Sequence, residues 1–282
     1  MSKTAVAGSV SGRAARRQEP FSRVAPMLAA ALLIGAGGGF VLASVLTLTR
    51  AFRVPSGVWW AALAQAHGHL QLYGWAGLFV LGVAFHFLPR LRGAGLAFPE
   101  AIPWLLATLV AGIILRGASQ PLLAASGQGV WRVGLVASGV LEVIALLGLL
   151  VIVATTAIQG PKFSTRPALL KVAPLLVGVF ASLGLAAIIN LINMAHASVG
   201  VIAGLVPATG DAMNVTLGLL GFLVPMALTM SAQTLPMYAG LEPFPRQLFW
   251  PLAVGYFGGL ALALVGIGLG VGWLTGLGTA LL

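Results

Sequence analysis

The chain has 282 residues, of which 59% are hydrophobic and only 7% are charged, and its mean hydropathy is +1.04. Soluble domains carry about 25% charged residues, so this composition excludes an ordinary soluble domain and predicts an all-α polytopic membrane protein surrounded by lipid. The net charge of +10 does not indicate nucleic-acid binding, because the 15 Lys and Arg residues lie scattered between apolar runs. The chain contains no cysteine, which excludes disulfides and metal centres held by thiolates.

Residues 1–23 are polar, basic and poor in aromatic residues, which is typical of disordered segments, and we expect a disordered cytoplasmic arm here. The apolar run at 24–49 has 26 residues, whereas the apolar part of a cleavable signal has about 7 to 15, so it is predicted to be a retained span. Residues 24–282 then form a single transmembrane domain.

Seven apolar stretches are long enough to cross the hydrocarbon core, which takes about 20 helical residues. The segment 198–209, between the fifth and sixth stretches, is predicted to be either a loop or a short re-entrant piece. The seven predicted spans cover 24–49, 57–89, 102–122, 133–158, 168–195, 211–236 and 248–272.

The Lys and Arg residues predict how these spans are oriented. With the N-terminus in the cytoplasm, 11 of the 15 basic residues lie on the inner side and four on the outer side. This bias is typical of inner-membrane proteins. We therefore expect a multi-pass protein of the cell inner membrane, with its C-terminus outside if there are seven spans.

The second span carries three of the four histidines, His67, His69 and His86. His67 and His69 are about 200° apart on a regular helix, so they cannot both face one ligand. The His67 face continues through Gln71 and Gly74, small or polar residues that suit a bundle interior, so His67 is the preferred internal ligand. His69 is expected to point elsewhere, either as an alternative haem ligand or as a residue that contacts the haem ligand from outside. His86 lies 19 residues further on, about 28 Å away, and belongs to the opposite surface.

His196 follows the fifth span at a depth similar to that of His67. Each histidine is 22 residues from a proline near the inner boundary, Pro174 and Pro89 respectively, which is about 33 Å of helix. Two histidines at equal depth could ligate a b-type haem from both sides, with Gln71 tuning the imidazole by hydrogen bonding. The alternative is that these histidines only form hydrogen bonds between helices.

Glu142 is the only carboxylate deep within a predicted span, and Arg116 interrupts the third span. Ionisable groups inside membranes are costly and usually functional. The two residues are predicted to pair with each other, or Arg116 is predicted to bind a haem propionate. They also support an alternative function, a haem-free proton-coupled transporter or channel, and a purely structural subunit is a third possibility.

The segment AHGHLQLYGW resembles the second helix of haem-copper oxidase subunit I, where an Ala-His-Gly segment supplies a ligand to the low-spin haem. It also resembles the H-x-H-x-x-x-[FY]-G signature of the NnrS family of membrane haem proteins, matched here by His67, His69, Tyr73 and Gly74. The run from Trp104 to Arg116 is a looser match to that family.

The resemblance implies a b-type haem ligated by His67, with His196 as the second ligand, in electron transfer or nitric oxide handling. A complete haem-copper centre needs more histidines than the four present, so no copper centre is expected. The chain alone is therefore not expected to be a terminal oxidase or nitric oxide reductase. It is a possible oxidoreductase component that works with other respiratory or electron-transfer subunits.

Overall fold

A computed structural model describes residues 21–162 and 167–282, except for the side chains of residues 167–169 and 237. In these ranges the chain has no strand, and seven of its helices are long and apolar enough to cross a membrane, as predicted. The helices are α1 (Ala25–Ala51), α2 (Val58–Arg92), α3 (Pro99–Ser126), α4 (Gly129–Gln159), α5 (Pro167–Val199), α6 (Ala208–Pro236), α7 (Arg246–Leu269) and a short α8 (Gly272–Ala280).

The outer surface of the bundle is apolar. Large side chains such as Trp104 and Ile158 are each 78% exposed, which suits contact with lipid rather than water. Most of the predicted arm at 1–23 lies outside the described residues, and its last three residues, Phe21–Arg23, form one 3₁₀ turn before α1.

We call the end of the bundle that carries the α1–α2, α3–α4 and α5–α6 connections the upper end, and the opposite end the lower end. The segment 198–209, which was predicted to be either a loop or a re-entrant piece, is a loop at the upper end. The α5 helix ends at Val199 and α6 begins at Ala208, and in between the backbone of Val206 is bonded to the Gln65 side chain of α2. After α7 the chain turns at Gly270, with φ at +69°, and α8 packs back against α7.

The α2 helix lies at the centre of the bundle. It packs against α1, α3, α4 and α6, and 56% of its most apolar window is buried, compared with 22% for the peripheral α1. A helix surrounded on several sides has several inward faces. This arrangement explains why α2 is the least hydrophobic of the seven spans and carries polar residues all around its axis.

Among the described residues, three helices contain a stretch of π-helix, and the stretch in α2 packs against those in α1 and α6. The three stretches are Gly35–Val41 in α1, Leu70–Gly77 in α2 and Leu217–Leu223 in α6. A π turn holds an extra residue, which widens the helix and shifts the faces that follow it. Glycines permit the close contacts, since a Cβ on Gly218 would lie 2.5 Å from Cδ2 of Leu72.

Candidate functional site

Four polar side chains from four helices form a closed ring inside the bundle. They are His69 of α2, Arg116 of α3, Glu142 of α4 and Asn190 of α5, and none is more than 4% exposed. His69 Nδ1 is 2.7 Å from Arg116 Nη1, and His69 Nε2 is 2.7 Å from Glu142 Oε2. Asn190 closes the ring, since its Nδ2 donates to Glu142 Oε2 at 3.0 Å and its Oδ1 accepts from Arg116 Nη1.

The hydrogen bonds determine the tautomer of His69. A guanidinium can only donate, so Nδ1 of His69 must be the acceptor and carries no proton. The proton is therefore on Nε2, which donates to the carboxylate of Glu142. His69 is neutral in this arrangement, and the charges of Arg116 and Glu142 cancel across the ring.

Glu142 keeps one oxygen free. In the part of the chain that the structure describes, no group forms a hydrogen bond with its buried Oε1. A buried carboxylate oxygen without a donor is costly; a water molecule would satisfy it, and protonation would remove its charge.

A chain of amides connects the ring to the upper end. Arg116 Nε donates to Gln120 Oε1 at 3.1 Å, and Gln120 Nε2 donates to Gln65 Oε1 at 3.0 Å. Gln65 then accepts from the backbone N–H of Val206 in the upper loop. The loop at 200–207 is thus coupled to the ring by continuous hydrogen bonding.

A cavity of about 230 Å³ lies beside the ring, between the upper halves of α2 and α6. Tyr73 donates to the Asn214 backbone oxygen at 2.9 Å and forms part of the wall. This volume is below the range of about 300–1,000 Å³ typical for drug-sized ligands, so the cavity suits water or a small polar solute. Its polar lining residues are Gln65, His69, Tyr73, Arg116, Asp211 and Asn214.

Asp211 is the one acidic residue among the described residues that line the cavity. It lies in the first turn of α6, where the helix dipole favours a negative charge, and close enough to Arg116 for the two charges to attract. The cavity wall therefore carries a cation and an anion on opposing helices.

Tightly packed apolar side chains lie below the ring. They belong to the main core of the bundle and are at most 3% exposed. They lie between the cavity and the lower end. Representative members are Leu78, Ile113, Leu146, Leu183 and Phe222.

The expectation that His67 faces the interior and His69 points elsewhere is wrong about His69. His67 is half-buried and its Nδ1 lies 3.3 Å from the Gly38 oxygen of α1. Gln71 lies on the same face, where a Cβ on Gly39 would come within 2.3 Å of its Nε2. Both faces of α2 are covered because α2 is central, and the His69 face is the more deeply buried.

The structure does not bring His196 and His67 together. His196 is exposed near the upper end of α5, whereas the part of α2 that carries His67 packs mainly on α1 and α3. His86 lies in the lower half of α2, where its ring makes an edge contact with Phe21. The predicted direct pair of Arg116 with Glu142 is not formed; the two residues are connected indirectly, through His69 and Asn190.

Sequence analysis did not select Gln65, Gln120 and Asp211 as site residues. A signal was present for two of them, because Gln65 precedes His69 by four residues and Gln120 follows Arg116 by four, which places each pair on one helix face. Asp211 lies at a predicted span boundary, where a carboxylate does not by itself indicate a functional site.

Comparisons with models of known protein families, with curated proteins and with solved structures find no match to this chain. Within residues 21–162 and 167–282, no three His, Asp or Glu side chains are grouped as a metal site would require. The features of the chain that indicate a function are the ring, the cavity and the motif around His67.

A double-mutant cycle tests the charge balance of the ring. Arg116→Gln and Glu142→Gln each leave one buried charge without its counter-charge, so each should lower the free energy of unfolding by about 3–5 kcal/mol. The double variant removes both charges and should lose about 1–3 kcal/mol less than the sum of the single losses.

The measurement is reversible unfolding in mixed detergent micelles. Arg53→Gln, at an exposed position of the upper end, serves as the control and should change stability little. Strictly additive losses would contradict the proposed charge balance.

Proposed function

We propose that the chain is a proton-coupled membrane carrier for a small polar solute, with the cavity as solute site and the ring as coupling site. The observation that carries the proposal is the fully buried Glu142 carboxylate, which has a free oxygen among the described residues and is linked through His69 and Arg116 to a polar cavity. Ionisable groups in such positions commonly belong to proton relays in transporters.

A carrier fits the cavity better than an open channel does. The core packed below the ring is apolar, whereas a channel needs a continuous polar route. A carrier instead exposes its site to one side at a time, which suits a cavity with an apolar core between it and the lower end.

Protonation of Glu142 would change the balance of charge around Arg116. With the carboxylate ionised, Arg116 has a counter-charge in the ring. Once Oε1 takes up a proton, Asp211 across the cavity becomes the remaining anion that attracts Arg116. Movement of Asp211 toward Arg116 would narrow the cavity, so proton uptake and cavity closure are coupled through one cation.

The three π stretches supply points at which α1, α2 and α6 could bend. Transporter sites commonly lie where membrane helices depart from regular α geometry near the middle of the bilayer. The α2 and α6 stretches begin just below the cavity residues Gly68 and Val215. A bend there would open or close the cleft between the upper halves of these helices.

We also propose that the protein lies in the cell inner membrane, with its lower end facing the cytoplasm. Among the described residues, the lower end carries more basic side chains near the membrane boundary than the upper end, which is the usual cytoplasmic bias. The lower set is Arg23, Arg90, Arg92, Lys162, Lys171 and Arg246, and the upper set is Arg50, Arg53 and Arg132.

The absence of cysteine from the chain permits a direct test of the carrier. Ala64→Cys places a thiol in the cavity wall, and Ala145→Cys places one in α4 at a fully buried position away from the cavity. A charged, membrane-impermeant thiol reagent should modify the Ala64→Cys variant from one side of sealed vesicles and should not modify the Ala145→Cys variant.

The thiol introduced by Ala64→Cys also reports on coupling. The pH dependence of its modification rate should differ between the Ala64→Cys variant and the same variant with Glu142→Gln added. The ionisation of the thiol itself affects both proteins equally, so a difference between the two pH profiles comes from Glu142. Identical pH profiles in the two backgrounds, or a thiol at this position that reacts from neither side, would contradict the proposal.

We propose haem binding through His67 as a second candidate function, and one observation favours it. Nδ1 of His67 donates to the Gly38 carbonyl, which leaves Nε2 unprotonated, and this is the usual state of a metal-ligating imidazole. The motif around His67, which resembles the NnrS family and oxidase subunit I, adds support. A haem would supply one-electron chemistry at this face of α2.

The other expected haem contacts fit less well. Both ring nitrogens of His69 are occupied, and Arg116 is bonded within the ring rather than available for a propionate. Because His196 lies on another side of the bundle, the second axial ligand in this proposal comes from a neighbouring chain. That chain would be a second copy or another electron-transfer subunit.

An optical spectrum tests the haem proposal. Under the haem proposal, protein purified from haem-replete cells has a Soret band that His67→Ala abolishes and His69→Gln does not. Loss of the band in His196→Ala would assign the second ligand to His196 of a second copy, and its retention would mean that another group, on a second copy or on another subunit, supplies it. A wild-type protein without a Soret band would eliminate haem binding.

A further inference from the structure

We propose that a groove between the lower halves of α5 and α7 binds one anionic phospholipid, with Lys171 and Arg246 holding its phosphate. The groove has a volume of about 680 Å³ and lies far from the polar ring, so the site is independent of the proposed carrier function. The groove combines a buried cation, an aromatic residue beside it and apolar walls.

Lys171 is a buried cation with no anionic partner among the described residues. Its side chain is only 8% exposed, and its Nζ lies 4.9 Å from the centre of the Phe249 ring. A cation–π contact alone compensates only part of the cost of burying an ammonium group. The environment of Lys171 is therefore completed by an anion from outside the described chain.

Arg246 adds a second positive charge at the mouth of the groove. It is exposed at the start of α7, and Trp250, one turn further on, is 65% exposed. Tryptophan is enriched at the level of lipid headgroups, so these residues place the mouth at the membrane boundary. Basic pockets between membrane helices at this level suit the phosphates of anionic lipids.

The walls of the groove are apolar and suit an acyl chain. They include Val177, Val254 and Phe257, and Arg246 and Phe257 are 11 residues apart, which is about 16 Å along a helix. That length is about half of the 30 Å hydrocarbon core, the depth of one leaflet. Gly178 shapes the groove, because a Cβ there would lie 2.2 Å from Cε2 of Phe257.

Competition between lipids tests the site. Delipidated wild-type protein in detergent is mixed with phosphatidylglycerol and phosphatidylcholine of the same acyl chains, and bound lipid is quantified by native mass spectrometry. We expect phosphatidylglycerol to be retained in preference to phosphatidylcholine. Lys171→Gln and Arg246→Gln should each weaken phosphatidylglycerol binding about fivefold, in line with the contribution of one basic residue near an anionic lipid.

A control variant and a second test variant complete the experiment. Arg53→Gln removes the same charge at the upper end and should leave binding unchanged. Arg246 is exposed, so Arg246→Gln carries the test even if Lys171→Gln does not fold. The proposal would be overturned if wild type bound the two lipids equally, or if neither variant had an effect. It would also be overturned if glycerol phosphate bound as tightly as the lipid, because the groove would then contribute nothing to binding.

Discussion

Arg116 and Glu142 place opposite charges in the middle of an apolar bundle, where either one alone would be strongly destabilising. Their charges are joined through His69 and Asn190, so a single ring ties together α2, α3, α4 and α5. The association of apolar helices in lipid has little hydrophobic driving force, and polar contacts and close packing must hold them. The ring therefore has a structural role as well as the chemical one proposed for it, and any motion that serves transport must keep its charges compensated.

The central position of α2 gives each of its polar residues a different neighbour. His67 faces α1, His69 faces α3 and α4, and Tyr73 reaches α6. The π stretch of α2 packs against those of α1 and α6 and contributes Tyr73 to the cavity wall, so the irregular turns lie beside the polar site. The carrier and haem proposals use different faces of α2, and for that reason their tests are independent.

The spans could be predicted because each is a long apolar run, and hydropathy alone determines that a run of about 20 residues crosses a membrane. Glu142 and Arg116 could be selected because a charge inside such a run is rare. Their partner His69 was ranked behind His67 because the prediction assumed that α2 has one inward face, and the number of inward faces depends on packing rather than on helical period. The π stretches and the 200–207 loop depend on contacts from other helices, such as Gln65 with Val206, which no local pattern in the sequence reveals.

The protonation state of His69 tests the central claim most directly, because the ring is possible only with one tautomer. Protein labelled with ¹⁵N at its histidine rings and reconstituted in lipid can be compared by solid-state NMR with the His69→Gln variant. With four histidines in the chain, the signals lost in the variant identify His69. The account predicts a neutral ring protonated at Nε2 alone. A ring protonated at Nδ1, or at both nitrogens, would contradict it, because Arg116 could then no longer donate to His69.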